Sequence, residues 1–163
     1  MIRSGIGFDS HRFEAGRTLV LGGVEIPAER GLAGHSDADA LSHALVDALL
    51  GAAALGDLGR FFPDSDPALA GADSGGILRR AVALVAGAGW QPVNADMVVV
   101  AQQPRLAPHA GRMRETIAGM LGLDQAAVSV KATSTEGLGF EGRGEGISAT
   151  ATVLVRRAGE GER

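Results

Sequence analysis

Gly34-His35-Ser36-Asp37-Ala38-Asp39-Ala40-Leu41-Ser42-His43-Ala44-Leu45-Val46-Asp47-Ala48-Leu49-Leu50 is the stretch on which the fold turns. Ser36 precedes Asp39 by three residues, resembling a capping box with Asp in place of Glu, and Leu41, Ala44, Leu45, Ala48 and Leu49 recur at helical spacing. The pattern predicts a helix from about Asp37 to Leu50, approached through the flexible Gly31–Gly34. Asp39, His43 and Asp47 stand at i, i+4 and i+8 and share a stripe apart from the apolar face. A histidine on such a stripe is either a solvated residue with helix-pair partners or a metal ligand whose second ring nitrogen is held by a carboxylate or nearby carbonyl.

Upstream, residues 2–8 and 18–26 read as strands able to form an N-terminal hairpin, the second broken by Gly22-Gly23. Gly7-Phe8-Asp9-Ser10-His11 closes the first strand, and Asp9 and His11, two apart, point the same way while the chain stays extended. Carboxylate and imidazole both ligate zinc, so this Asp-x-His and His43 on the following helix can converge on one divalent metal. Taken singly, Asp-x-His is also an ordinary loop, because two polar residues make a short motif.

The 163 residues fit one domain, assigned to residues 1–157 with 158–163 as a frayed tail. No cysteine occurs, which excludes disulfides, thiolate zinc sites and thiol catalysis, and leaves histidine and carboxylate to hold any zinc. A net charge of −4 without a long run of Lys or Arg gives no footprint for nucleic acid or an acidic membrane. A phosphate substrate would therefore leave much of its neutralisation to metals. No signal-peptide pattern and no membrane-length apolar run occurs, so a soluble cytoplasmic protein is expected.

Residues 56–67 break the helical pattern with glycine, proline and aspartate, and Phe61 and Phe62 mark them as an anchored loop. A scaffold helix follows from Ser74 to Ala88, stopped by Gly89, then a strand around Val98–Val100. The proline-bounded 102–108 segment is a second candidate binding edge before a helix carrying Ala110, Met113, Ile117 and Met120 on one face. Strand 128–133, the glycine-rich 137–146 stretch and an alternating strand 147–155 complete the chain. That glycine stretch can bring N–H groups to phosphate oxygens with help from the Thr133, Ser134 and Thr135 hydroxyls, or serve as plain turns. No Gly-Lys-Ser/Thr follows it, and Gly5-Ile6-Gly7 opens no helix, so no common nucleotide motif is present.

Together the segments GFDSHRF, LGGVEIP, GHSDADALSHALVDALLGAAALGDLGRFFPDSDP, VKATSTEGLGF and GRGEGI, spanning most of residues 5–147, resemble the 2-C-methyl-D-erythritol 2,4-cyclodiphosphate synthases of the non-mevalonate isoprenoid pathway. The resemblance implies an α+β subunit with a four-stranded mixed sheet flanked by helices, assembled as a homotrimer with active sites between neighbours. It implies a phosphorus-oxygen lyase that converts 4-diphosphocytidyl-2-C-methyl-D-erythritol 2-phosphate to the cyclic diphosphate and CMP by intramolecular phosphoryl transfer. Asp9, His11 and His43 match the family's zinc ligands, and Glu136 a ligand of a second cation, Mg²⁺ or Mn²⁺. His35 and Ser36 match contacts to the methylerythritol phosphate, as do Asp57, Leu58 and Gly59 and the run Phe62, Pro63, Asp64, Ser65 and Asp66. Ala101, Gln102, Gln103, Pro104, Arg105, Leu106 and Ala107, with Thr133, Ser134 and Thr135, match cytidine and phosphate contacts. His35 and Ser134 match groups that stabilise the transferring phosphoryl, and Phe140 and Arg143 match contacts near the trimer axis.

Ser134 stands where threonine is frequent and keeps the hydroxyl; Arg105 stands where lysine is common and keeps the charge with another donor geometry. The attacking phosphate is largely dianionic near neutral pH, its second pKa being about 6, so alignment and charge neutralisation replace a strong general base. Two rival readings share the motifs: a zinc phosphohydrolase, in which the metal activates water, and a non-catalytic trimeric carrier of isoprenoid diphosphates. The alternation of Ser148, Thr150 and Thr152 with Ala and Val on the last strand weighs against a lipid-lined axis.

Overall fold

The computed structural model describes residues 1–159; residues 160–163, most of the expected frayed tail, lie outside the described residues. Seven strands, β1 (Ile2–Ala15), β2 (Leu19–Leu21), β3 (Val24–Ile26), β4 (Arg30–Leu32), β5 (Trp90–Val100), β6 (Val128–Thr133) and β7 (Gly146–Arg157), combine with helices in an α+β fold. The helices are α1 (Ala40–Ala52), α2 (Leu58–Phe61), α3 (Ser74–Gly87), α4 (Ala110–Leu121) and α5 (Gly139–Gly142), with three short 3₁₀ turns between them.

The main sheet has the order β4-β1-β7-β5-β6. β7 runs antiparallel to both β1 and β5, while β5 and β6 are parallel and joined through α4, the crossover a parallel pair needs. β1, β5 and β6 therefore all run one way, and Asp9–His11, within β1, lie level with Val100 and Thr133, the last residues of β5 and β6. This mixed sheet has five strands where the resemblance implies four. β4 supplies the difference, because β1 runs on to Ala15 and Phe13–Ala15 pair with Arg30–Leu32 on its other edge.

The expected hairpin between residues 2–8 and 18–26 does not form. β1 pairs with β7 from Ile2 to Arg12, and 18–26 folds on itself as β2-β3 about Gly22-Gly23, whose φ values of 58° and 72° suit a tight glycine turn. Asp9 and His11 accordingly lie inside a long strand rather than at its end.

α1 lies directly on β1. A Cβ added at Gly7 would stand 1.9 Å from the Ala44 carbonyl oxygen, and one at Gly5 1.9 Å from that of Ala48, so the two backbones touch through the glycines. Leu41, Leu45, Leu49 and Leu50 are fully buried, and from Ala40 to Leu50 only His43 and Asp47 are even half-exposed. The helix begins three residues later than its periodicity predicts. Ala38 sits at φ 57°, outside the helical region, and Asp39 is the N-cap, its carboxylate accepting from Ser42 N–H at 3.0 Å. Ser36 instead accepts the Ala38 N–H at 3.1 Å.

The far side of the sheet is bare. Ile2, Ile6 and Phe8 are 68%, 71% and 59% exposed, next to Thr150, Thr152 and Leu154 of β7. Ser148 on the same strand is buried and donates to Glu141 at 2.7 Å.

Candidate active site

Period-two alternation along β1 turns Asp9 and His11 toward α1, and α1 brings His43 to meet them. Asp9 Oδ2 lies 2.8 Å from His11 Nε2 and 3.2 Å from His43 Nδ1, and the two imidazole nitrogens are 3.4 Å apart. Among the described residues this is the one group of three histidine or carboxylate side chains close enough to hold an ion. A tetrahedral ion with bonds of roughly 2.0–2.1 Å sets its ligand atoms about 3.3 Å apart, so the triangle already has the right size.

The hydrogen bonds around the triangle fit a cation as well. His11 Nδ1 donates to the Ala33 carbonyl at 2.6 Å, which leaves Nε2 with a lone pair aimed at Asp9. His43 Nε2 meets Ser74 Oγ at 2.9 Å, leaving Nδ1 to face the same carboxylate oxygen. Two lone pairs and a carboxylate converging within 3.4 Å repel unless a proton or a metal lies between them. Without a metal the proton takes that place. Burial alone would raise the Asp9 pKa, but hydrogen bonds and charge from His11 and His43 outweigh it and hold the carboxyl below its ordinary value. Burial would lower the His11 pKa, and Asp9 with the Ala33 carbonyl reverses that and holds it above the ordinary value.

Beside this centre a cavity of about 560 Å³ is lined by His11, His35, Ser10, Arg12, Arg17 and Gly34, among others. Arg17, not singled out by the sequence, shapes it by donating to the Gly34 carbonyl at 2.7 Å and the Ser36 carbonyl at 2.5 Å. His35 is exposed, and Ser36 lies 3.3 Å from His43 Nε2. One turn along α1 from His43, Asp47 accepts the Leu58 N–H at 2.7 Å, which ties the Asp57–Gly59 turn to the metal-centre helix. Asp64, Ser65 and Asp66 are exposed, Pro63 is half-buried, and Phe62 is only 3% exposed with Arg80 stacked over its ring.

A second cavity of about 380 Å³ is lined by Ala101–Ala107 and Ala132–Ser134, joining the two segments expected to contact the nucleotide. Within it Leu106 and Ala101 are buried and Gln103 and Arg105 are exposed. The Ala101 N–H to Thr133 carbonyl bond of 3.0 Å holds the segments together. Thr135 donates to the Leu138 carbonyl. Glu136 is exposed at φ 55°, its carboxylate 3.4 Å from Ser134 Oγ and outside the Asp9–His11–His43 group. The glycine-rich stretch is not an open phosphate nest. It winds into α5, and the N–H groups of residues 142–145 all bond to carbonyls within residues 138–141. Phe140 is half-buried on that turn, and Arg143 is exposed and paired with Glu145 at 2.7 Å.

Asp39 departs furthest from its sequence reading. Rather than sharing a polar stripe it is fully buried, accepting from Gly22 N–H at 2.8 Å, Gly23 N–H at 2.7 Å and the Ser42 hydroxyl at 2.7 Å. It clamps the β2-β3 turn to the start of α1. Asp37 and Ser74, flanking His43, also went unread; Ser74 is 31 residues from His43 in sequence and has no local signal.

An α+β fold that gathers two histidines and a carboxylate at the spacing of a divalent-metal site, with a cavity opening beside them, belongs to the class of candidate metal-dependent enzymes. Residues 2–156 match the YgbB family, and the chain belongs to it. It is 58% identical over 156 residues to the 2-C-methyl-D-erythritol 2,4-cyclodiphosphate synthase of Bordetella petrii, covering 96% of each chain. With the synthase of Moorella thermoacetica it shares 59% identity over 162 residues, 98% of this chain and 99% of the relative. Among solved structures, a CDP-bound 2C-methyl-D-erythritol-2,4-cyclodiphosphate synthase superposes with a TM-score of 0.87 at 40% identity, over 94% of this chain and all of that one. The bifunctional IspDF from Campylobacter jejuni gives a TM-score of 0.93 at 43% identity over 96% of this chain, which spans 42% of that longer protein.

Proposed function

We propose that this chain converts 4-diphosphocytidyl-2-C-methyl-D-erythritol 2-phosphate to 2-C-methyl-D-erythritol 2,4-cyclodiphosphate and CMP. The observation that carries the proposal is the Asp9–His11–His43 centre, with both imidazole lone pairs fixed toward one carboxylate oxygen. Asp9, His11 and His43 would hold zinc, which when bound would supply Lewis-acid neutralisation of diphosphate charge. In the reaction a 2-phosphate oxygen forms a bond to the phosphorus on the methylerythritol side of the diphosphate, and the bond from that phosphorus to the CMP oxygen breaks. The dianionic attacker needs no base, so the chain's work is alignment.

His35 and Ser36 hold the methylerythritol phosphate over the larger cavity, with the Asp57–Gly59 turn and residues 62–66 closing around it. The segment Ala101–Ala107 and the hydroxyls of Thr133, Ser134 and Thr135 hold the cytidine and its phosphates, while Glu136 would hold Mg²⁺ or Mn²⁺, which would supply further neutralisation of phosphate charge. His35 and Ser134 donate to the transferring phosphoryl. The active unit is a homotrimer. Support for it comes from the pleat: Ser10, Ser148, Val100 and Thr133 share one row across the sheet, and that row points away from the metal ligands. Strand spacing puts Thr133 about 14 Å from Ser10, so a neighbouring chain is needed to complete each site, with Phe140 and Arg143 near the axis. The uncovered Ile2, Ile6 and Phe8 provide a surface for that neighbour. Among the described residues no helix is long and apolar enough to cross a membrane, in keeping with a cytoplasmic setting.

The test is incubation of the purified protein, zinc and Mg²⁺ with the cytidine diphosphate substrate, followed by phosphorus NMR. Cyclic diphosphate with stoichiometric CMP is expected. A linear bisphosphate would make the protein a hydrolase, and ligand binding without CMP release would make it a carrier.

A further inference from the structure

We infer that Ser74 and Asp37 form a positioning relay for the metal centre, a serine-bridged carboxylate that fixes the tautomer and ring angle of His43. The inference rests on the metal reading of Asp9, His11 and His43.

Ser74 is the first residue of α3 and is fully buried. Its hydroxyl donates to Asp37 Oδ1 through a short hydrogen bond, and its N–H donates to Asp37 Oδ2 at 3.1 Å. A hydroxyl has one proton. With that proton given to Asp37, Ser74 Oγ offers only lone pairs to His43 Nε2 at 2.9 Å, so Nε2 must carry the hydrogen. Nδ1 is then the free nitrogen, 3.2 Å from Asp9 Oδ2 and 3.4 Å from His11 Nε2. Ser36 Oγ, at 3.3 Å from Nε2, is a longer second contact and already accepts the Ala38 N–H.

The relay runs His43 Nε2–H to Ser74 Oγ–H to the Asp37 carboxylate, and it draws on α1, α3 and the loop before α1. Each hydrogen bond polarises the next, which makes Nδ1 a better donor to a cation and holds the ring against rotation about its Cβ–Cγ bond. His11 obtains the same service from a main-chain carbonyl, Ala33, which no side-chain substitution can remove. The His43 arm alone depends on side chains. It also stitches the substrate loop in place: Asp37 N–H donates to the Ala72 carbonyl at 3.2 Å and Gly71 N–H to the His35 carbonyl at 2.7 Å. The loop bearing His35 and Ser36 and the turn leading into α3 thus move as one piece with the metal ligand.

The test measures metal affinity, separately from turnover. Full-length protein stripped by chelation is titrated with zinc against a chromophoric chelator, and with Co²⁺ while the visible d–d bands are recorded. Ser74→Ala is expected to raise the zinc Kd about 10- to 100-fold and to shift the Co²⁺ bands, while Ser74→Thr, which keeps the hydroxyl, stays near wild type. Asp37→Asn weakens zinc binding in the wild-type background but changes it less than about twofold on top of Ser74→Ala, because the relay is already cut. Wild-type affinity and spectrum in Ser74→Ala, or equal losses from Asp37→Asn in both backgrounds, overturns the relay. Should Ser74→Ala fail to fold, Asp37→Asn alone decides: unchanged Kd and Co²⁺ spectrum overturn the inference. Failure of the wild-type chain to bind zinc, by contrast, removes the metal reading itself, so the two failures are distinguishable.

Discussion

Gly7→Ala puts a methyl group where the backbone of α1 already lies. The new Cβ would stand 1.9 Å from Ala44 O and 2.7 Å from Ala48 N, against an ordinary contact limit of 3.4 Å. The shortfall of about 1.5 Å cannot be relieved by a rotamer, because both obstructing atoms belong to the main chain. The helix must lift from the sheet or the strand must bow. Overpacked cores lose roughly 1–3 kcal/mol where side chains can yield, and here the cost falls at or above the top of that range, a folded-to-unfolded ratio at least about 150-fold smaller. The metal centre feels the same displacement, since His43 precedes Ala44 on the helix and Asp9 is two residues from Gly7. A lift of about 1 Å takes the 3.2 and 3.4 Å edges of the ligand triangle past 4 Å, beyond the roughly 3.3 Å edge of a tetrahedral ion. Urea denaturation of the chelator-treated protein, with zinc competition alongside, measures both effects. Gly51→Ala is the control: it is helical with nothing within 4 Å of a new Cβ, so it gains about 0.5–1 kcal/mol. A Gly7→Ala midpoint equal to wild type, with zinc affinity unchanged, would refute the backbone-contact reasoning.

His43→Ala should cut zinc content sharply while leaving far-UV circular dichroism unchanged, because α1 is buried through its other residues; wild-type zinc in the purified variant counts against the ligand assignment. Asp39→Ala strands the buried N–H of Gly22, frees the part-buried N–H of Gly23 and removes the α1 cap, a loss of about 2–3 kcal/mol readable by thermal melting; a loss below 1 kcal/mol refutes the clamp. In the metal-free protein the His11 pKa is raised, so its contribution to stability is complete below the ordinary value of 6.5 and fades as pH rises through the folded-state pKa. The lowered pKa of Asp9 has the opposite sign, contributing above 3.8 and fading as pH falls below it. Metal-free stability from this pair therefore peaks between those values, and urea midpoints measured across pH with Asp9→Asn as reference check it; a pair contribution that grows above pH 6.5 contradicts it.

Much of this was legible because the signals were local. Helical spacing marked α1, α3 and α4, and alternation marked β7; two polar residues two apart on a strand correctly implied side chains on one face. What failed to read depended on partners distant in sequence. Asp39 resembled a surface residue because helix periodicity treats the helix alone and cannot register that the Gly22-Gly23 turn seals it from water. Gly5 and Gly7 are excluded as a nucleotide motif and show no other role in the sequence alone; their purpose is the approach of a helix some 40 residues later. Ser74 gave nothing, since a serine at a helix start ordinarily serves the helix itself, and this one serves His43. The glycine-rich loop could be read as a phosphate nest or as plain turns, and the N–H groups of residues 142–145 are taken up by a short helical turn.

The bare face of the sheet, with Ile2, Ile6 and Phe8 between 59% and 71% exposed, bears on how the protein withstands dilution. If the proposed trimer closes over that face, folding and association become one equilibrium, and stability then carries a translational-entropy component set by chain concentration. Each tenfold dilution lowers it by about 0.9 kcal/mol per chain, from two association steps of roughly 1.4 kcal/mol shared among three chains. The amount of protein in the compartment is in that sense a stabilising agent, and a scarce synthase would be a softer one.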